Sequence, residues 1–191
     1  MRSDSKNNLN DDDDIIRKIL DDRMPEYFEV LYNRYYPKVM DKCYSLVKNR
    51  NIAEELAEDI LCNTYEKLAS FKRMSSFSSW LYAITYNYCI DHLRQKNKIH
   101  YPSWNRENEI PEIIDDADES IESISYDNLL LILDLIHPEE KALLLMKYQD
   151  NLSIKQISAV LRISDDAAKM RLKRARTRVL YLYNKKYMQD T

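Results

Sequence analysis

The most concentrated set of side chains that could do chemistry is a basic run near the end of the chain. Residues 167–186 contain eight bases and no acid. The bases are Lys169, Arg171, Lys173, Arg174, Arg176, Arg178, Lys185 and Lys186. Guanidinium and ammonium groups at this density produce a positive field that attracts phosphate. The run therefore predicts a nucleic-acid contact, and the alternatives are a solvated basic helix or a surface for an acidic protein.

The pattern around this run is typical of a helix-turn-helix. Ser153 and Gln156 have the spacing of a capping box, which opens a short helix. Arg162 begins the predicted turn, and Ser164 is placed to cap a longer helix that ends near Tyr183. A short helix, a tight turn and a longer basic helix together predict this motif.

A helical projection separates two faces of the longer helix. The face that should pack against preceding helices is small and apolar: Ala168, Leu172, Ala175 and Val179. The opposite face should be free: Asp166, Met170, Lys173, Arg174 and Thr177. In helix-turn-helix docking, the N-terminal part of the second helix meets base edges while surrounding residues hold phosphates. Base contacts are predicted for Asp166, Lys169, Met170 and Lys173, and phosphate contacts for Arg171, Arg174, Arg176 and Arg178.

A second candidate site lies in the aromatic segment at residues 77–94. Its rings (Trp80, Tyr82, Tyr86 and Tyr88) are interleaved with bases (Lys72, Arg73, Arg94, Lys96 and Lys98). Such a mixture suits the unstacked bases of a single strand. The segment predicts a helix over residues 80–95 with Ser78 as its cap. A mixed stripe of this helix is a candidate strand path: Trp80, Ala83, Asn87, Asp91 and Arg94. The alternative is an aromatic core with a salt bridge inside the helix.

Further helices must position these two sites. Apolar periodicity predicts helices over residues 26–48, with Pro37 as a candidate kink, and over residues 51–71, with Asn51 as the cap. The free face of the second of these is acidic: Glu55, Glu58, Asp59 and Glu66. Helices are also predicted over residues 129–136 and from Pro138 to about Tyr148, and a short one over residues 15–20. The fold class expected is all-α, with two small helical domains.

An acidic segment separates the two predicted domains. Residues 97–127 contain two prolines and no sustained periodicity, which is typical of a linker. Within this segment, residues 107–127 contain nine acids and no Lys or Arg: Glu107, Glu109, Glu112, Asp115, Asp116, Asp118, Glu119, Glu122 and Asp127.

Composition excludes several classes of protein. The 191 residues include no glycine, which argues against phosphate-binding glycine loops and dinucleotide-binding fingerprints. The polar start has no signal-peptide segment and no apolar run could span a membrane, so a cytoplasmic protein is expected. Cys43, Cys62 and Cys89 lack metal spacing and are predicted to be buried thiols. His92, His100 and His137 form no metal pattern, so neither a cofactor nor catalysis is expected, although Cys89 and His92 share a helix face.

The two halves together resemble the extracytoplasmic-function group of bacterial RNA polymerase sigma factors. The segments LYNRYYPKV, AEELAEDILCNTYEKL and WLYAITYNYCIDHLR are similar to conserved region two, in order and in spacing. The segment HPEEKALLLMKYQDNLSIKQISAVLRISDDAAKMRLKRARTRVL is similar to region four. The corresponding domains would be residues 25–96 and 128–186, joined by the linker at 97–127 and flanked by tails at 1–24 and 187–191.

The resemblance implies a non-catalytic subunit that brings core RNA polymerase to promoters. It implies docking on the clamp helices of the large catalytic subunit by Glu54, Glu55, Glu58, Asp59, Asn63 and Glu66. It implies contact with the minus-ten strand by Lys72, Arg73, Trp80, Asn87, Asp91 and Arg94. Region four would take the minus-thirty-five duplex, and the acidic linker would run toward the RNA channel. An anti-sigma protein is a further expected partner, and no membrane insertion is expected.

The chain departs from the family pattern at the helix-turn-helix. Arg162 stands in the turn, where the family often has glycine, and Ala167 and Ala168 stand where Thr-Val is frequent. The alternative reading is a stand-alone helix-turn-helix regulator, which would leave the first domain unexplained.

Overall fold

Helices make up the regular structure of the chain. The computed structural model describes residues 11–97 and 124–187, and within them it contains eight α-helices and no strand. The helices are α1 (Asp12–Leu20), α2 (Phe28–Val47), α3 (Arg50–Lys67), α4 (Phe77–Asn97), α5 (Tyr126–Leu133), α6 (Pro138–Leu144), α7 (Ile154–Leu161) and α8 (Asp165–Tyr187). Two 3₁₀ turns (Pro25–Tyr27 and Leu68–Ser70) and a π turn (Leu145–Gln149) adjoin them. The predicted all-α class is confirmed.

The chain divides into two compact units, residues 1–89 and 90–191, with the boundary inside α4. The predicted linker and the first part of the predicted N-terminal tail lie mostly outside the described residues, as does His100. Helix α2 continues through Pro37.

The core of the first unit is built on α2 and α3, which pack along each other. Their apolar stripes are buried: Leu31, Tyr35, Val39, Cys43 and Leu46 from α2, and Ala53, Leu56, Ala57, Ile60 and Leu61 from α3. Helix α1 adds Ile15, Ile16 and Ile19 to this core. The Asp12 carboxylate accepts hydrogen bonds from Arg34 and from the Tyr35 hydroxyl, which fixes the start of α1 on α2.

The second unit is organised around α8, which contacts α5, α6 and α7. The predicted packing stripe of α8 is buried as expected: Ala168, Leu172, Ala175 and Val179. Thr177 was expected on the free face of α8. This prediction is wrong, because the Thr177 side chain is fully buried. Three helices pack around α8, so more than one of its faces lies inside the unit.

Some helix ends differ from the predicted positions. The capping box of Ser153 and Gln156 is present at the start of α7. Helix α3, however, begins two residues earlier than Asn51 implied, because the side chain of Asn49 accepts the hydrogen bond from the Ile52 amide. Helix α4 begins at Phe77, and the hydroxyl of Ser76 accepts from the Ser79 amide, so Ser76 replaces Ser78 as the cap.

Left-handed backbone occurs although the chain has no glycine. Positive φ is adopted by Arg23, Lys48, Arg73, Asn151 and Arg162. Such residues cost roughly 1–2 kcal/mol each relative to right-handed backbone when they carry a Cβ atom. Asn tolerates this conformation best, whereas the arginines and lysine hold it because the surrounding turn requires it.

Candidate functional site

The turn before α8 has the hydrogen bonds of a Schellman motif. The Ile163 amide donates to the Ser158 carbonyl at 3.0 Å, and the Arg162 amide donates to the Ala159 carbonyl at 3.3 Å. Arg162 itself has φ 56° and ψ 47°. This motif normally places glycine in the left-handed position. The turn therefore closes as the sequence predicts, with an arginine in the glycine position.

The first turn of α8 presents polar side chains outward. The Ser164 hydroxyl accepts from the Ala167 amide at 3.1 Å, so the predicted cap is confirmed. Asp166, Lys169 and Met170 are exposed, and Lys169 lies 3.4 Å from the Asp166 carboxylate. This end of the helix has the polarity and exposure needed to enter a major groove.

Three arginines of the basic run have partners within the second unit. Arg171 lies 3.1 Å from the Glu139 carboxylate, and Arg178 lies 2.9 Å from that of Glu140. Arg176 donates to the Tyr148 hydroxyl at 3.0 Å.

Glu139 and Glu140 are almost fully buried, so the arginines neutralise carboxylates inside the protein. Lys173 and Arg174 are half-buried on the same helix. Through their contacts with Glu139, Tyr148 and Glu140, respectively, Arg171, Arg176 and Arg178 hold α8 against α6 and the π turn that follows α6.

The loop before α4 is anchored by three aromatic rings. Trp80 lies 5.2 Å from the Phe71 ring and 5.8 Å from the Phe77 ring, measured between centroids. Phe71 and Phe77 are buried, and Trp80 is half-buried. Lys72 and Arg73 are exposed between them, as is Met74 at 89%. The rings thus fix a short loop whose outer side is basic.

The mixed stripe of α4 is continuous along one face of the helix. Trp80 and Asn87 belong to the first unit, where both are half-buried. Asp91 and Arg94 belong to the second unit, where Arg94 lies 3.8 Å from Asp91 and 2.7 Å from Glu139. The salt bridge that the sequence offered as an alternative reading is therefore present.

Two of the tyrosines in the aromatic segment serve the core. Tyr86 is fully buried, and its hydroxyl accepts from Lys42 at 3.4 Å. The same ammonium group lies 4.2 Å from the centroid of the Tyr82 ring. Tyr86 was expected to be available to nucleic-acid bases. This prediction is wrong, because Tyr86 is buried on a second face of α4.

The acidic face of α3 lies opposite its core stripe. Glu55, Glu58, Asp59 and Glu66 are exposed, and Glu54 pairs with Arg50 at 3.0 Å. Asn63 is half-buried, and its amide donates to the Tyr88 hydroxyl of α4 at 3.2 Å. The carboxylates therefore form a surface of one sign, with Asn63 turned toward the protein at its edge.

A groove that was not predicted from the sequence lies beside this acidic face. The groove has a volume of about 520 Å³ and is lined by Pro25, Glu26, Phe28, Glu29, Tyr32, Cys62, Tyr65 and Glu66. The Phe28 and Tyr65 rings meet at 4.9 Å. Tyr32 of α2 and Glu66 of α3 both line this groove, and burial and then Glu58 raise the pKa of Tyr32. The alternation of aromatic and acidic residues in PEYFE was the available signal.

The three cysteines do not share one environment. Cys43 and Cys89 are buried, with their sulfurs 3.5 Å apart. The hydrogen bond with Cys43, together with burial, raises the pKa of the Cys89 thiol. Cys62 is exposed on α3, so the prediction that it is buried is wrong.

The part of the chain that the structure describes has neither a membrane-spanning helix nor a clustered metal site. None of the helices there is long and apolar enough to cross a bilayer. No three His, Cys, Asp or Glu side chains in that part are grouped to hold a metal ion.

Comparison with known proteins finds two regions of one family in succession along the chain. The family model for sigma-70 region 2 matches residues 31–99, and the model for sigma-70 region 4 matches residues 126–179. The extracytoplasmic-function RNA polymerase sigma factor SigW of Bacillus subtilis is 26% identical over 162 residues, which is 78% of this chain and 84% of SigW. The sigma factor YlaC of the same organism is 26% identical over 78% of this chain and 87% of YlaC.

Solved structures show the same fold. Sigma factor RpoE of Bartonella quintana, solved with the anti-sigma factor NepR, has a TM-score of 0.55 and 18% identity over 81% of this chain and 95% of RpoE. CnrH, solved with the cytosolic domain of CnrY, has a TM-score of 0.57 and 16% identity over 90% of this chain and 96% of CnrH.

The helical units and the matched regions define a transcription-initiation subunit that binds DNA. The chain belongs to the sigma-70 family, in its extracytoplasmic-function group. It directs core RNA polymerase to promoters in transcription initiation. The matched regions and relatives are those of sigma factors and give no support to a stand-alone regulator. Sigma factors are non-catalytic subunits that act on RNA polymerase in the cytoplasm.

Proposed function

We propose that the N-terminal part of α8 reads the minus-thirty-five duplex. The observation that carries this proposal is the outward position of Asp166, Lys169 and Met170 directly after the Ser164 cap. In this docking mode those side chains meet base edges, and Lys173 extends the base-reading surface by one turn. Arg174 is assigned to phosphate. Arg171, Arg176 and Arg178 are also assigned to phosphate, in addition to positioning α8 through their internal partners.

The first unit, with the end of α4, is proposed to bind the minus-ten strand. Lys72 and Arg73 supply charge, Trp80 supplies a ring that can stack on a base, and Asn87, Asp91 and Arg94 follow on the same face of α4. A base that is flipped out of the duplex loses stacking worth a few kcal/mol, so an aromatic surface beside cations favours the melted strand.

The acidic face of α3 is proposed to dock on the clamp helices of polymerase. Support comes from the exposed carboxylates Glu55, Glu58, Asp59 and Glu66, with Glu54 and Asn63 at the margin. A surface of one sign steers association with a basic partner.

The acidic linker is proposed to run toward the RNA channel. An anti-sigma protein is proposed as a regulatory partner because the similar sigma factor RpoE was solved in complex with the anti-sigma factor NepR. The chain is proposed to be cytoplasmic and to catalyse no reaction of its own.

Transcription with reconstituted holoenzyme tests the reading of the duplex. Promoter fragments are first selected from genomic DNA of the source organism with core polymerase and the wild-type chain. Lys169→Glu is expected to abolish runoff transcription from these fragments while binding to core is retained. The matched control is Lys185→Glu, which makes the same charge change at an exposed position near the other end of α8. Normal transcription by the Lys169→Glu variant would contradict the assignment of α8.

Strand separation tests the minus-ten assignment. Asn87→Ala removes a half-buried amide with little change in packing, so the fold should persist. Open complexes, detected by permanganate reactivity of unpaired thymines, should decrease more than closed complexes. An equal decrease of both would contradict a specific role for Asn87 in the melted strand.

A further inference from the structure

Arg162 occupies a backbone position that ordinary helix stability does not favour. Its φ of 56° and ψ of 47° place it in the left-handed region, at the position of the Schellman motif that normally takes glycine. Residues held in such conformations cluster at functional sites. The side chain, rather than the backbone, must therefore explain why arginine stands here.

The side chain of Arg162 makes one ion pair that adds little to folding. Its guanidinium lies 2.9 Å from the Asp91 carboxylate, and the two side chains are 66% and 30% exposed. Exposed ion pairs contribute little to stability because water already solvates both charges. Asp91 also lies 3.8 Å from Arg94, so the carboxylate has a second cation when Arg162 leaves.

The location of Arg162 suits contact with a duplex backbone. It lies three residues before the first residue of α8, on the exposed side of the turn. A guanidinium recognises the paired oxygens of a phosphate as it recognises those of a carboxylate. The Asp91 carboxylate therefore makes with Arg162 the kind of contact that a phosphate also makes with a guanidinium.

We propose that Arg162 is a phosphate contact of the helix-turn-helix, and that Asp91 holds its guanidinium until a DNA phosphate replaces the carboxylate. The exchange substitutes one anion for another, so the arginine never loses its counter-charge. After the exchange, Asp91 keeps its ion pair with Arg94. Both residues belong to the stripe of α4 that is proposed to bind the minus-ten strand. This inference rests on the proposed reading of a duplex by α8.

The test measures binding of the full chain to a fluorescein-labelled duplex of mixed sequence, by anisotropy, over a series of salt concentrations. A phosphate contact is independent of sequence, so the promoter need not be known. Arg162→Gly is expected to weaken binding roughly fivefold and to lower the slope of log K against log salt by about 1. Glycine suits the left-handed backbone, so the variant should fold at least as well as wild type.

Arg23→Gly is the matched control. Arg23 is an exposed arginine with a φ of 55° in the first unit, so this change removes the same charge and relieves the same backbone strain. It should leave both affinity and slope close to those of wild type.

A double-mutant cycle tests the role of Asp91. Asp91→Asn should tighten binding of wild type by releasing Arg162, and the gain should disappear in the Arg162→Gly background. A gain of equal size in both backgrounds would reflect general charge alone and would overturn the exchange.

A further variant separates failure of this inference from failure of the proposed function. If Arg162→Gly behaves as Arg23→Gly does while Lys169→Ala weakens binding, the inference is overturned and the reading of a duplex by α8 stands. If wild type shows no binding at low salt, the inference is overturned, and the reading of the duplex by α8 is decided by the runoff assay with holoenzyme.

Discussion

Arg23 follows α1 in the left-handed conformation, with a φ of 55°. The Met24 amide donates to the Lys18 carbonyl across this residue at 3.1 Å, so the turn that ends α1 requires the conformation. Arg23→Gly removes the Cβ clash, and the gain exceeds the extra chain entropy that glycine loses on folding. We expect the free energy of unfolding to rise by roughly 0.5–1 kcal/mol. Urea denaturation with an unchanged m value would measure this, and Arg23→Ala, which keeps the Cβ atom, should show no gain.

His137 gives the second unit a dependence on pH. Its Nδ1 accepts a hydrogen bond from the Glu139 amide at 3.2 Å and so caps the start of α6. Burial lowers the pKa of His137 below its ordinary value of 6.5, and nearby arginines add to that effect while Glu139 opposes it. The unfolded chain therefore takes up the proton first as pH falls, and acidification below about pH 6.5 should reduce stability.

Unfolding in guanidinium chloride at a series of pH values measures this effect. His137→Asn keeps a capping oxygen without a titrating group, so its stability should change less between pH 7.5 and 5.5 than that of wild type. A variant with the same pH dependence as wild type would show that another group is responsible.

Helix α8 illustrates how far the sequence predicts an element. Its cap at Ser164 and its buried stripe from Ala168 to Val179 were predicted, because both depend on local spacing. The burial of Thr177 and the internal pairing of Arg171 and Arg178 were not predicted. They depend on which helices pack around α8, and a single helical pattern carries no information about distant partners.

The starts of α3 and α4 show the same limit at shorter range. Asn49 and Asn51 could each cap a helix, as could Ser76 and Ser78, so residue type alone did not choose between them. Among the candidate site residues, the exposed Lys169 and Met170 could be predicted from the pattern. Asp91 pairs with Arg162, and Arg94 pairs with Glu139. Each of these ion pairs joins segments far apart in the chain, so neither could be predicted from the pattern.

The basic residues of α8 should separate into structural and exposed groups when they are replaced. Arg178 is 19% exposed and neutralises Glu140, which is fully buried. Arg178→Ala removes this cation from beside the buried carboxylate, so we expect the second unit to lose roughly 3 kcal/mol of stability. Lys169→Ala removes an exposed side chain and should change stability by less than about 0.5 kcal/mol. Chemical denaturation of both variants measures the difference, and equal losses would contradict the division.

Charge is segregated over the whole molecule rather than balanced locally. The net charge is −3, while the nine acids of residues 107–127 and the bases of α8 lie in different segments. The acids must raise the electrostatic cost of bringing the free chain to DNA, since both carry negative charge. A sigma factor that acts as part of polymerase gains from this arrangement, because the free chain then occupies less of the genome on its own.

Neutralising the acidic segment tests that consequence. Replacing its nine acids with Asn and Gln makes the chain net positive, so binding of the free chain to mixed-sequence duplex at low salt should tighten on the order of tenfold. The difference should shrink as salt rises, because exposed charges are screened within about 10 Å at 0.1 M. A shuffled segment of unchanged composition is the matched control and should bind as wild type does. If the shuffled chain also binds more tightly, the order of the residues rather than their charge limits the free protein, and the electrostatic account fails.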